Sequence, residues 1–119
     1  MAANDCAPPR VIRSVQQYHG GYTVAGYVIA QPIEILDPAA MDEYRKGLAP
    51  TLEQYGGKTI IRGGRVEVRE GDWSAKPFIV IEFPSFERAK EWYESAEYAG
   101  PKKIRHSAAR TNLALVEGV

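Results

Sequence analysis

TVAGYVIAQPIEI (Thr23–Ile35) is the stretch whose reading decides the fold. Its Val, Ile and Tyr content marks a strand. Apolar side chains fall on both alternating sets: Val24, Val28 and Ala30 on one face, Ala25, Tyr27, Ile29 and Ile33 on the other. A strand that is apolar on both faces needs cover on both. Pro32 cannot donate to a ladder, which places an edge or a bulge near it.

Downstream, LDPAAMDEYRKGLAPTLEQYGG reads as a helix with Asp37 as N-cap and Pro38 at its first position. Met41, Tyr44, Leu48, Leu52 and Tyr55 form one apolar stripe. Pro50 is expected to kink or split this helix, and Gly56-Gly57 to end it. KTIIR and RVEVRE are short alternating runs joined by Gly63-Gly64, so IIRGGRVEVREGDW (Ile60–Trp73) reads as a tight hairpin. KPFIVIEFP (Lys76–Pro84) is a second strand apolar on both faces. SFERAKEWYESAEY follows as a helix capped by Ser85, with Phe86, Ala89, Trp92, Tyr93 and Ala96 inward and Pro101 as its breaker. KKIRHSAA continues as a second short helix, and RTNLALVEGV closes the chain as a strand.

Strand, helix, strand–strand, helix, strand is an α+β order: the ferredoxin-like split β-α-β arrangement, with an antiparallel sheet and the helices on one face. The other face must meet something. A two-fold dimer with a second copy, sheets face to face, is the simplest cover; a ligand surface lidded by residues 1–23 is the alternative. Those residues, with Pro8-Pro9 near the start and Gly20-Gly21 near the end, read as an N-terminal arm that is at least partly flexible. Residues 24–119 are the ferredoxin-like α/β-barrel domain.

The chain has 119 residues, enough to bury a core as one domain. Lys+Arg and Asp+Glu are 15 each, so the net charge is zero, which argues against a protein held mainly by nucleic-acid phosphates. FIVIEF is acidic and LALVEG has no aromatic, so the RNA-recognition variant of the fold is disfavoured as well. One cysteine, Cys6, excludes an intramolecular disulfide framework. No run approaches the roughly 18 apolar residues of a membrane span, and the N-terminus has no signal pattern. A cytoplasmic homodimer with a small-molecule ligand, and with neither nucleic-acid nor membrane partners, is the expectation.

Arg62 is the leading substrate-binding candidate. It alternates with Ile60, which sets its guanidinium on a partly apolar face where an anion or a carboxylate must answer it. An internal salt bridge to Glu67 or Glu82 is the competing explanation. Glu82, inside FIVIEFP, is a candidate general base, because a desolvated carboxylate titrates high unless paired. Tyr27, on the first strand, is the second catalytic candidate. Tyr44, Trp73 and Trp92 are candidates to pack on the ligand, although aromatics at helical spacing are more often core. Arg65 and Arg69 read as the wet face of the hairpin. His19 and His106 have no second ligand at metal-binding spacing, so neither a metal nor any other cofactor is expected.

The span of about residues 26–118 resembles a family of small bacterial proteins grouped as domain of unknown function 1330, within the dimeric α/β-barrel superfamily. The resemblance rests on Gly-Gly after the first helix, Arg-Gly-Gly, Glu-Gly-Asp-Trp, Glu-Phe-Pro-Ser and Trp-Tyr. Where the family commonly has His-Gly-Gly, this chain has Tyr55-Gly56-Gly57. The resemblance implies a dimer, and that such a pair is a dimeric α/β barrel. The superfamily includes cofactor-free oxygenases, isomerases, haem enzymes and plain binders, and fold alone does not choose among them. The leading expectation is a cofactor-independent enzyme moving a proton on a small acidic or aromatic molecule, as an isomerase, lyase or oxygenase-like protein. The alternative is a binding or sensing protein using the same pocket without turnover.

Overall fold

β1 (Gly26–Ile35) runs through the interior of a four-stranded antiparallel sheet of order β2-β3-β1-β4, with β2 spanning Lys58–Arg62, β3 Ile79–Phe83 and β4 Ala109–Glu117. The computed structural model describes residues 24–119; the N-terminal arm expected over residues 1–23 lies outside the described residues. Helices α1 (Pro38–Tyr55), α2 (Phe86–Glu94) and α3 (Ala96–Ala108) complete the fold. The split β-α-β order and the α+β class are as the sequence leads one to expect.

The core lies between the helices and one face of the sheet. Val28, Ile81 and Phe83 on the strands meet Met41 and Leu52 of α1 and Trp92 of α2. β1 bulges between Pro32 and Glu34 against β4, and β3 pairs with β1 only as far as Ala30. Pro32 therefore sits past the end of the β3 ladder, where a missing donor costs little.

Three local expectations are corrected. The first is the hairpin. β2 pairs with β3 and not with RVEVRE: Thr59 is opposite Ile81 and Arg62 opposite Ile79. Residues 65–70 form no strand. Gly63 (φ 68) and Gly64 (φ 87) do turn the chain through positive φ, but into a long excursion that returns where the Gly63 N–H donates to Phe78 O at 2.8 Å. The physical reason is burial. The alternation in RVEVRE places charged residues beside two valines, whereas IVIEF offers Ile81 and Phe83 to the core, so the apolar strand takes the ladder.

The second correction concerns Pro50. α1 runs unbroken through it. The carbonyl that loses its donor belongs to Lys46, and both residues lie on the solvent side, where water can answer it. The third concerns the break between the last two helices, which falls at Ser95 and not at Pro101. The Ser95 hydroxyl donates to Trp92 O at 2.8 Å and accepts from Tyr98 N–H at 3.1 Å, closing α2 and opening α3. This resets the helical phase. Ala96, expected on the inward stripe, is exposed, and Tyr98 is buried instead.

Candidate functional site

A cavity of about 330 Å³ opens between the helix-facing side of the sheet and α1 and α3. Across the sheet, Arg62, Ile79, Ala30 and Leu113 stand in one row, about 14 Å wide at normal strand spacing, and all four line it. Apolar walls come from Met41, Leu48, Leu52 and Ile81. The charged side chains among its lining residues are three arginines: Arg45, Arg62 and Arg105.

A bulge brings Arg62 here. In an unbroken β2, Arg62 would share a face with Lys58, which lies opposite Glu82 on the far side of the sheet. The register shifts between Thr59 and Ile61, so that Ile61 faces Val80 and Arg62 faces Ile79. One extra residue, Ile60, thereby moves Arg62 to the helix side. The inference from alternation with Ile60 was therefore incorrect in its geometry, although Arg62 does reach a partly apolar wall. Arg62 is exposed at the mouth, where the cavity joins an outer groove past Pro32, Arg45 and Ile79. Arg45 is held by Asp42 at 2.8 Å. Arg62 has no ion-pair partner among the described residues.

The inner wall holds polar groups that the sequence reading passed over. Arg105 is only 5% exposed. Its Nε donates to the Tyr98 hydroxyl at 3.4 Å, and that hydroxyl lies 2.8 Å from the Tyr44 hydroxyl. Burial pushes the Tyr44 phenol well above its usual range; Tyr98 adds to this and Arg105 opposes it. Tyr44 therefore remains protonated at any working pH. Burial works against the Arg105 charge, but the hydrogen bond to Tyr98 and the neighbouring tyrosines outweigh it, and its net shift is upward. The Thr111 hydroxyl is buried without a hydrogen-bond partner among the described residues. A signal for Arg105 was present in the sequence: Tyr98, Arg105 and Ala108 recur at helical spacing and all three are buried.

Trp92 is 1% exposed; its indole N–H donates to Thr51 Oγ1 at 2.9 Å and its ring tilts over Tyr98 at 4.1 Å. Tyr44, Trp92 and Arg62 thus share the cavity. Tyr27, Glu82 and Trp73 do not. Tyr27 and Glu82 are cross-strand partners on the opposite face, where the tyrosine donates to Glu82 Oε2 at 3.1 Å. A pair between Arg62 and Glu82 is accordingly not formed, and Glu67 meets Arg69 at 3.2 Å in open solvent. Trp73 is 66% exposed on the excursion, packed edge-on against Phe78. That excursion crosses the open face, clasped by Gln31 Nε2, which donates to Ser74 O and Lys76 O. Beneath it lies a shallow trough of about 750 Å³, lined by Ile29, Trp73, Phe78, Asn112 and Val116 among others.

Residues 25–119 match a family model described as Domain of unknown function (DUF1330). The chain belongs to this family. No curated protein matches the sequence. Among solved structures, the DUF1330 chain is similar to a protein of unknown function from Rhodopseudomonas palustris, at 16% identity and a TM-score of 0.63, with 100% of this chain and 98% of that one covered. It is also similar to a dimeric ferredoxin-like protein of unknown function from Jannaschia sp. CCS1, at 14% identity and a TM-score of 0.56, covering 79% and 99%. A dimeric protein of unknown function and ferredoxin-like fold from Bacteroides fragilis NCTC 9343 is similar at 13% identity and a TM-score of 0.52, covering 79% and 96%. At these identities the likeness establishes the fold. Among the described residues of the DUF1330 chain, no helix is long and apolar enough to cross a membrane, and no group of three or more His, Cys, Asp or Glu side chains is placed to hold a metal ion.

Proposed function

We propose that the protein binds a small organic acid with a compact aromatic or aliphatic body, between the sheet and helices of each protomer. The observation that carries this reading is an apolar cavity whose charged lining groups, among the described residues, are all arginines. Apolar walls with a few convergent polar groups are the usual make-up of a ligand site. Binding without turnover is favoured because proton transfer needs a titrating group within reach. Tyr44 is held protonated, and Glu82 and Tyr27 meet on the other face. To test the reading, organic acids and their matched neutral amides are compared by thermal shift. Acid at about ten times Kd should stabilise by about 1.4 kcal/mol and raise Tm by several degrees. Equal protection by acid and amide, or none by either, overturns it.

A second reading draws on the Tyr27–Glu82 contact at 3.1 Å. In a homodimer with the open sheet faces packed together, this pair would lie between the two sheets, and the protein would be a cofactor-independent enzyme acting there by proton transfer. The homodimer itself is part of the proposal. Its support is the apolar surface that the open face presents, with Ile61 46% and Val116 41% exposed, and the two dimeric proteins of the same fold. Sedimentation should give twice the 13.2 kDa chain mass at micromolar concentration; a clean monomer would remove the dimer and, with it, the enclosed Tyr27–Glu82 site.

A further inference from the structure

We infer that the ligand's carboxylate seats on Arg105 at the inner wall, with the Tyr44 and Thr111 hydroxyls donating to it, while Arg62 at the mouth is not the anchor. This rests on the reading of the cavity as a small-acid site and names the groups that select the acid.

Tyr98 is fully buried, and its hydroxyl has two neighbours, Arg105 Nε and the Tyr44 hydroxyl. Arginine carries no acceptor, so the two hydroxyls share one hydrogen bond, in which either can donate, and one of their two protons is left over. Of the two, Tyr44 lines the cavity, and with Tyr98 as the donor between them the Tyr44 proton is the one free to meet a ligand there. Among the described residues the Arg105 guanidinium donates through Nε to Tyr98, stands beside Tyr44 with its Cζ 6.0 Å from the ring centroid, and has no carboxylate partner. Thr111 adds a second hydroxyl, buried and without a partner among the described residues, on a residue of the same wall. It lies on β4 opposite Pro32, just past the C-terminal end of the helix that carries Arg105. A buried cation without a counter-charge and a buried hydroxyl without a partner are costly arrangements. A carboxylate answers all of them together: a planar two-point contact on the guanidinium, with lone pairs left for two hydroxyls. A phosphate would bring more charge and more oxygens than these donors can meet, and an amine would be repelled. The body of the acid then lies along Met41, Leu48 and Ile79 toward the mouth. Arg62 stands there in contact with solvent, where an anion keeps most of its hydration and gains little.

The test is isothermal titration of wild type and variants with benzoate, phenylacetate and isovalerate, each beside its primary amide. Thr111→Val keeps the side chain's shape and removes the unmet hydroxyl, so its Tm should equal or exceed that of wild type while its affinity for the acid falls about tenfold. Tyr44→Phe should also weaken the acid selectively. Arg105→Lys keeps the charge but loses the fork, and should lose most of the preference for acid over amide. Arg62→Ala should change acid affinity by no more than about threefold. Wild-type affinity retained in both Thr111→Val and Tyr44→Phe overturns the inference, as does loss of acid binding in Arg62→Ala alone; either result leaves the small-acid reading standing. If wild type prefers no acid over its amide, the small-acid reading itself falls.

Discussion

Gly26→Ala is expected to remove a large share of the protein's stability. A Cβ built at Gly26 would lie 2.5 Å from Phe86 Cα, from Phe86 N and from Ser85 O. All three are backbone atoms at the start of α2, so no side-chain rotation relieves the overlap. Neither partner can retreat easily. Gly26 is held between Phe83 of β3 and Glu117 of β4. The Ser85 carbonyl accepts the first bond of α2 from Ala89 N–H at 3.1 Å, and the Ser85 side chain caps the same turn. Overpacking that side chains can absorb costs about 1–3 kcal/mol. Here the backbone must separate, so at least about 3 kcal/mol is expected, from a total that for domains is about 5–15 kcal/mol. Circular dichroism should record a fall in Tm of more than about 10 °C, or the variant should collect in the insoluble fraction. A variant melting within about 2 °C of wild type would mean that β1 does not pass this close to α2.

Trp92→Ala should cost about 3–5 kcal/mol. The indole is among the largest fully buried side chains of the described residues, with ring contacts to Phe83 at 5.4 Å and Tyr98 at 4.1 Å. Truncation leaves a void beside the cavity between the sheet and the helices and removes the donor to Thr51 Oγ1. Urea unfolding should shift to a lower midpoint with an unchanged slope, since the unfolded state exposes nearly the same surface. Trp92→Phe, which keeps an aromatic ring but not the N–H, should lose about half as much. A midpoint unmoved in the alanine variant would place Trp92 outside the core. This result bears on function as well. As a buried wall with its N–H already satisfied, Trp92 shapes the cavity without presenting a free hydrogen-bond donor to it.

The sequence reading succeeded where the signal is local and repeated. Asp37 and Ser85 were legible as caps because a short oxygen-bearing side chain before an amphipathic run has one obvious task, and each does accept from the N–H three residues on. It failed where two local signals competed. Gly63-Gly64 announced a tight hairpin, and the glycines do turn the chain, but apolar burial assigned the neighbouring strand to Ile79–Phe83. It also failed at Ser95, because a proline is a loud breaker in a sequence and a serine that caps two helices at once is a quiet one.

From the sequence alone came the element order, the α+β class, the apolar stripe of α1 and the need to cover both faces of the sheet. These depend on the periodicity of side chains along one element, which the chain carries in its own spacing. The membership of the site was decided by tertiary structure. A single bulge at Ile60 sends Arg62 to the helix side, while Tyr27 and Glu82, two of its expected companions, remain on the other. Arg105, in the stretch KKIRHSAA, turns inward because the Ser95 cap sets the phase of α3 and aligns it with Tyr98 and Ala108. Which face a residue occupies after a bulge or a cap depends on register against a partner element, and register is fixed by the packing of the whole sheet and its helices rather than by any one stretch of chain.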